Sequence, residues 1–426
     1  MVNKEFWLEK VQNWHEKRFP KILERSIDIP NKIKISRMIS LIGPRRTGKT
    51  YELLFIAKRI SEKYNKENTL YINFESPEFG VLDAKDLIEM LKAKRELFPD
   101  IPLDKLWLFL DEIQNVNNWE KFVRKCLDDG INVFVSGSSS RFLSKEIATS
   151  MRGRNLSYYI YPLSFNEFLY FKGFDASGAY STQKKSKILK YLREYLTFGG
   201  YPEVVLFSFE KERILNDIFN TAILRDVIER NNIRNDFLLR SLIKALLTSK
   251  EFSVNKFYNY LKSQGIKVSK DSVYKYLTYL EDAFFVFSLN KFSLSYKKAE
   301  QSIPKIFFVD NGLLYNNGVD DLGRLMENLV FVELKRRNKE ISYYKNSFNK
   351  EVDFVVKKGK KIKQLIQVCY NLEDYNTLER EVSSLISVAK EFKCNNLLLI
   401  SWSEEKKIKR KSLEIKFIPL WKWLLE

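Results

Sequence analysis

Apolar positions along the chain change period several times. Short continuous apolar runs at Ile39–Ile42, Thr69–Phe74, Leu106–Leu110, Ile131–Val135 and Tyr158–Tyr161 predict strands. Between them, 3.6-residue patterning predicts helices at 50–64, 83–97, 119–128 and 142–151. Unbroken apolar strands alternating with helices imply an α/β layer with a parallel sheet covered on both faces. Ahead of it, Trp7, Leu8, Val11 and Trp14 fall on one face of a short helix. That face either packs on the following layer or lies near a bound aromatic base.

From 165 to 248 the pattern is helical, interrupted at Gly199-Gly200 and Pro202. Three short helices at 237–247, 253–262 and 269–280 precede strand runs at 284–289 and 305–309. Ser269 is a serine N-cap for the third. A further amphipathic helix at 323–337 leads into strands at 341–344, 351–356 and 365–369. The end, 417–425, is apolar except for Lys422 and predicts a last helix or strand, while 404–411 reads as a solvated basic turn or a nucleic-acid contact.

The 426 residues exceed one ordinary core, so two or three domains are expected. No run approaches eighteen apolar residues and the amino terminus lacks a signal-peptide core, which predicts a cytoplasmic protein with no membrane span. Cys126, Cys369 and Cys394 make no metal spacing, and with His15 the single histidine, zinc and histidine acid–base chemistry are set aside. A net charge of +19 favours polyanionic partners without choosing DNA, RNA or an acidic protein.

Candidate chemistry gathers at the strand ends. After Ile39–Ile42 comes Gly43-Pro44-Arg45-Arg46-Thr47-Gly48-Lys49-Thr50-Tyr51, a P-loop between a strand and a helix. Its glycines let backbone N–H groups close around phosphates at a helix N-terminus. Lys49 is placed to reach the β and γ phosphates of ATP, and the Thr50 hydroxyl to sit on Mg²⁺. The run Leu106–Leu110 delivers Asp111 as the second Mg²⁺-holding group and Glu112 to orient or deprotonate water. Ser138, in Ser136-Gly137-Ser138-Ser139-Ser140, is the hydroxyl chosen to touch the γ phosphate or the water. Arg152 and Arg154 offer an arginine finger toward a neighbouring copy, or a salt bridge on the sheet rim. A finger in trans implies a homo-oligomer. Arg225 and Arg230 either sense nucleotide or pair with Asp226 and Glu229 on a helix surface.

The P-loop, Leu110-Asp111-Glu112-Ile113-Gln114, Ser136-Gly137-Ser138-Ser139, Arg152-Gly153-Arg154, Pro162–Phe168 and Gly199-Gly200-Tyr201-Pro202-Glu203 together resemble a group of prokaryotic AAA-type ATPases. The resemblance covers nearly the whole chain. It implies an AAA-type P-loop NTPase module with a helical subdomain to about 240, a winged helix, and a carboxy-terminal α/β domain similar to restriction endonucleases. The expected divisions are 1–165 for the ATPase core, 166–236 for the helical subdomain, 237–310 for the winged helix-turn-helix and 311–426 for the nuclease-like domain. In that domain Glu327 and Asp353 match two metal-site acids, but Gln367 stands for the third acid and Cys369 for the lysine, so it is expected to be noncatalytic.

Three function classes remain. The first is a Mg²⁺-dependent ATPase acting on DNA through Lys270, Ser272, Lys275 and Thr278 of the third winged-helix helix. The second is a nucleotide-switched protein-interaction module. The third, a metal-dependent nuclease, is disfavoured by Gln367 and Cys369.

Overall fold

A computed structural model describes residues 4–30, 37–139, 151, 153–207, 209–293, 295–410 and 412–426. The expected helix at 142–150, Ser140, Arg152 and Lys411 lie outside them. The chain forms two compact units, Met1–Ile160 and Tyr161–Glu426.

In the first unit, β1 (Met38–Ile42), β2 (Thr69–Asn73), β3 (Trp107–Asp111), β4 (Asn132–Gly137) and β5 (Asn155–Tyr159) form one sheet in the order β2-β3-β4-β1-β5. Every pairing is parallel. Continuous apolar strands do this because both faces must be covered, and β1 and β3 are buried along their whole length. The intervening helices are α2 (Lys49–Lys63), α3 (Ala84–Leu97) and α4 (Trp119–Asp128). The fifth strand begins at Asn155 and ends at Tyr159, earlier than the apolar run suggested, because β1 continues to bond it residue by residue from Met38.

Helix α1 (Lys4–Glu16) buries Trp7, Val11 and Trp14. Trp7 stacks on Phe79, and the Trp14 indole N–H donates to Thr69. The aromatic face is thus a packing face. At its end His15 Nε2 lies 2.8 Å from Lys94 Nζ. Burial, then the neighbouring lysines, push the His15 pKa down to about 3, and burial brings Lys94 down to about 7.

The second unit opens with α5 (Phe165–Phe171), α6 (Thr182–Phe198), α7 (Pro202–Leu206) and α8 (Lys211–Thr221), continued by a wider turn over Ala222–Glu229. Ser164 and Glu167 cap α5 reciprocally, which accounts for the spacing in Pro162–Phe168. Helices α9 (Asp236–Thr248), α10 (Val254–Ser263) and α11 (Lys270–Asp282) precede an antiparallel ribbon of β6 (Val286–Leu289) and β7 (Lys305–Phe308), with α12 (Tyr296–Glu300) between its strands.

After α13 (Asn311–Tyr315) and α14 (Leu322–Arg336) the chain lays down β8 (Glu340–Lys345), β9 (Glu351–Lys358) and β10 (Lys361–Cys369) as an antiparallel meander. Helix α15 (Tyr375–Phe392) returns it to β11 (Leu397–Ser401), parallel to β10. Strand β12 (Lys406–Arg410) and β13 (Leu413–Pro419) complete a sheet ordered β8-β9-β10-β11-β13-β12, followed by α16 (Leu420–Leu425). The basic segment read as a turn is therefore an edge strand, held antiparallel to β13 with its lysines exposed, as suits a sheet edge.

The break at Gly199-Gly200 has a packing cause. Gly199 has φ +73°, and a Cβ there would stand 1.7 Å from Asp310 Oδ1; one on Gly200 would stand 2.4 Å from the Leu163 carbonyl. The buried Asp310 carboxylate accepts from Gly200 N and Gly312 N, each at 2.8 Å. Burial still raises its pKa to about 6, against those N–H donors. Arg336 donates to the Pro162 carbonyl at 2.8 Å and Tyr195 to that of Leu163 at 2.7 Å, closing the knot. Gly199→Ala should lower unfolding stability by about 2–4 kcal/mol, through strain and overpacking together. An unchanged midpoint in urea would contradict this account.

Candidate functional site

The loop Gly43–Gly48 leaves the carboxyl end of β1 and enters α2, with Gly48 at φ +95° as the helix N-cap. A Cβ on Gly43 would lie 2.3 Å from the Ile160 carbonyl, so the loop's first position has no room for a side chain. Thr47 Oγ1 donates to the Pro44 carbonyl at 2.9 Å, which folds the loop on itself. Lys49, buried, donates to the carbonyls of Gly43 at 3.1 Å and Pro44 at 2.8 Å. Arg45 pairs with Glu75. Arg46 takes φ +60° with its side chain exposed, and Tyr51 is 54% exposed.

Asp111 ends β3 with no solvent exposure. Three hydroxyls converge on it: Thr50 Oγ1 at 2.7 Å and the Tyr71 phenol at 2.7 Å on Oδ2, and Ser136 Oγ on Oδ1. Burial, then the Glu112 charge, hold its pKa above the ordinary carboxylate value, with the hydroxyls opposing. Glu112 turns into the left-handed region at φ +51°, and its N–H donates to Ser136 Oγ at 3.0 Å. One Glu112 carboxylate oxygen lies 3.7 Å from Lys49 Nζ and the other accepts from Gln114. Lys49, Thr50, Asp111 and Glu112 therefore share one pocket at the carboxyl edge of the sheet, where ligands of open α/β sheets sit.

Lys49, Thr50, Asp111 and Glu112 are brought together as the sequence suggested. Ser138 is buried just past the end of β4, yet the hydroxyl that touches Asp111 is Ser136. Arg154 lies at the opposite edge of the sheet, beside the start of β1, and pairs with Asp128 at 2.8 Å. Arg225 pairs with Glu229 at 2.8 Å on the helix surface, the pairing alternative, whereas Arg230 pairs at 2.7 Å with Asp226, which is buried.

Sequence reasoning missed Tyr71, Ser136, Gln114 and Arg25, whose guanidinium donates to the Thr47 carbonyl at 2.9 Å. Tyr71 had a signal. Strand alternation places Thr69, Tyr71 and Asn73 on one face, and Asn73 pairs in register with Asp111. Nothing local marks Arg25.

The chain is 40% identical to an uncharacterized protein, MJ1544, of Methanocaldococcus jannaschii; the match covers all of this chain and 96% of that relative. This chain belongs to that family. A protein of Haemophilus influenzae, also uncharacterized, is 33% identical over 82% of this chain and 86% of its own length. Residues 36–169 match the family model described as an AAA domain, so the P-loop unit is an α/β AAA-type module. Residues 189–321 and 322–423 match two domains of unknown function, DUF8612 and DUF4143. Among solved structures, the Walker-type ATPase PABY2304 of Pyrococcus abyssi superposes with a TM-score of 0.44 at 11% identity, over 74% of this chain and 95% of that one.

The metal set expected in the carboxy-terminal domain does not fit a metal. Glu327 and Asp353 do meet, but Lys305 lies between them, 2.9 Å from Glu327 Oε1 and 3.1 Å from Asp353 Oδ1. Gln367 donates to Glu381 at 2.6 Å, and Cys369, its thiol pushed up to about 11 by burial, donates to the Asn371 carbonyl. Among the described residues no three histidine, cysteine or acidic side chains are grouped to hold a metal, and no helix is long and apolar enough to cross a membrane.

Ser136→Ala removes the donor to Asp111 and strands the buried Glu112 N–H. Unfolding stability in urea should fall by about 1–3 kcal/mol. A change below about 0.5 kcal/mol would mean that the hydroxyl carries neither bond.

Proposed function

We propose that this chain is a Mg²⁺-dependent ATPase that couples hydrolysis to action on DNA. One observation carries the reading: the Thr50 hydroxyl and the Asp111 carboxylate stand 2.7 Å apart beside Lys49 and Glu112, at the mouth of a loop with no room for a Cβ. The Asp111 carboxylate, its pKa raised by burial and then by Glu112, has hard oxygen neighbours in Thr50, Tyr71 and Ser136. That donor set suits Mg²⁺, held by Thr50 and Asp111, which when bound neutralises phosphate charge.

Gly43, Pro44, Arg45, Arg46, Thr47, Gly48 and Tyr51 form the nucleotide cradle. Lys49 exchanges its two loop carbonyls for the β and γ phosphates. Glu112 orients the attacking water and takes its proton, with Ser138 close to the γ phosphate. Ser136 and Tyr71 are positioning residues that fix Asp111. Arg154, like Arg152, serves a neighbouring copy, since its own site lies at the other end of the strands. The active form is then a homo-oligomer.

The divisions 1–165, 166–236, 237–310 and 311–426 remain the domain reading, with a winged helix formed by α9, α10, α11 and the ribbon. On α11, Val273, Leu277 and Leu280 are buried while Lys270, Lys275 and Thr278 are exposed with Tyr274, which is the polarity a groove-reading helix requires. The carboxy-terminal sheet resembles a nuclease fold without its metal chemistry. The protein works in the cytoplasm.

Lys49→Ala should abolish ATP binding by calorimetry. Glu112→Gln should retain binding while turnover falls about 100-fold or more. Full-rate hydrolysis by Glu112→Gln would overturn its role. Gel shifts with duplex and single-stranded DNA should show binding that weakens steeply from about 50 to 200 mM salt. No binding at the lower salt would favour the nucleotide-switched protein-interaction module.

A further inference from the structure

Lys305 is buried in the second unit, at the start of β7. Its ammonium meets three carboxylates from two other elements: Glu327 of α14 at 2.9 Å, Glu351 of β9 at 2.7 Å and Asp353 of β9 at 3.1 Å. The outer oxygens are also engaged. Glu327 Oε2 faces Lys250 at 3.5 Å, Asp353 Oδ2 accepts from Val368 N at 3.0 Å, and Glu351 Oε2 faces Lys345 at 3.8 Å. An ammonium has three donors, and here each has a carboxylate oxygen.

We propose that Lys305 is the resident cation of this carboxylate set, standing where a divalent metal would otherwise sit and making the carboxy-terminal domain independent of metal. The geometry supports an ammonium over an ion. The three oxygens lie 2.7–3.1 Å from Nζ, the range of charge-assisted hydrogen bonds, while bound Mg²⁺ or Ca²⁺ needs oxygens closer, at about 2.0–2.6 Å. The exchange also has a mechanical consequence. A metal would join only the acids of α14 and β9, whereas a lysine carried on β7 anchors the ribbon to both. This buried charge joins the ribbon to the carboxy-terminal sheet alongside the Phe307–Phe354 ring contact.

This inference does not depend on the ATPase reading, and its test uses no nucleotide. Thermal unfolding of the full chain is followed with EDTA and with millimolar Mn²⁺, for the native protein, Lys305→Ala, Lys305→Ala combined with Asp353→Asn, and Asp353→Asn. The native protein and Asp353→Asn should show the same change in melting temperature between EDTA and Mn²⁺, because any cation taken up at Thr50 and Asp111 acts equally in both. Lys305→Ala should melt lower in EDTA and recover by about 5 °C in Mn²⁺, and the added Asp353→Asn should remove that recovery. A native protein stabilised by Mn²⁺ in a manner lost in Asp353→Asn would overturn the proposal. So would a Lys305→Ala protein indifferent to Mn²⁺. Should Lys305→Ala fail to fold, Lys305→Gln takes its place, and the comparison of the native protein with Asp353→Asn in EDTA and Mn²⁺ remains decisive.

Discussion

The first unit depends on seating a carboxyl group, Asp111, where it has no solvent exposure. Burying an ion without partners costs several kcal/mol, so the group persists only where hydrogen bonds replace its hydration. Its three hydroxyl partners come from β2, the start of α2, and β4. Those elements meet at one point because β3 lies between β2 and β4, with β1 next to β4. A different strand order would leave Asp111 short of partners, so sheet topology and the polar site select each other.

The same problem recurs in the second unit with different solutions. Asp310 answers burial with backbone N–H groups at two glycines and keeps a raised pKa, near 6. The acids Glu327, Glu351 and Asp353 answer it with a lysine from another strand. Burial would lower the Lys305 pKa, but these carboxylates carry it well above the ordinary value. Hydrophobic packing sets how closely the layers approach; such charge networks fix one arrangement among the many that packing alone tolerates.

Element type was legible wherever period and length agreed. Helices α2, α3 and α4 and the first four strands of the parallel sheet follow from apolar runs, with a cap as at Asp83 and Asp86 of α3, whereas β5 begins ahead of its run. The basic strand β12 was not, because Lys406–Arg410 has little apolar alternation and owes its state to pairing with β13. At the site, the P-loop and the acid pair were visible because their residues are contiguous. Ser136 was not visible as a partner of Asp111, since only the folded end of β4 brings its hydroxyl to that carboxylate. Lys305 was invisible as a partner of Glu327 and Asp353. It stands 22 and 48 residues away from them, in a strand whose composition suggests only an exposed lysine.

The two carboxylate clusters differ in what meets their buried acids. Around Asp111 the partners are neutral hydroxyls, and Lys49 stays 3.7 Å from Glu112 while donating to the loop carbonyls of Gly43 and Pro44. Burial, then the Glu112 charge, raise the Asp111 pKa against those hydroxyl donors. Around Glu327, Glu351 and Asp353 the balancing charge is already covalently part of the chain. A metal would first have to expel a buried ammonium, which is the cost of breaking a buried ion pair, about 3–5 kcal/mol. The first cluster therefore meets its buried acid with neutral donors, and the second meets its acids with a lysine of the same chain.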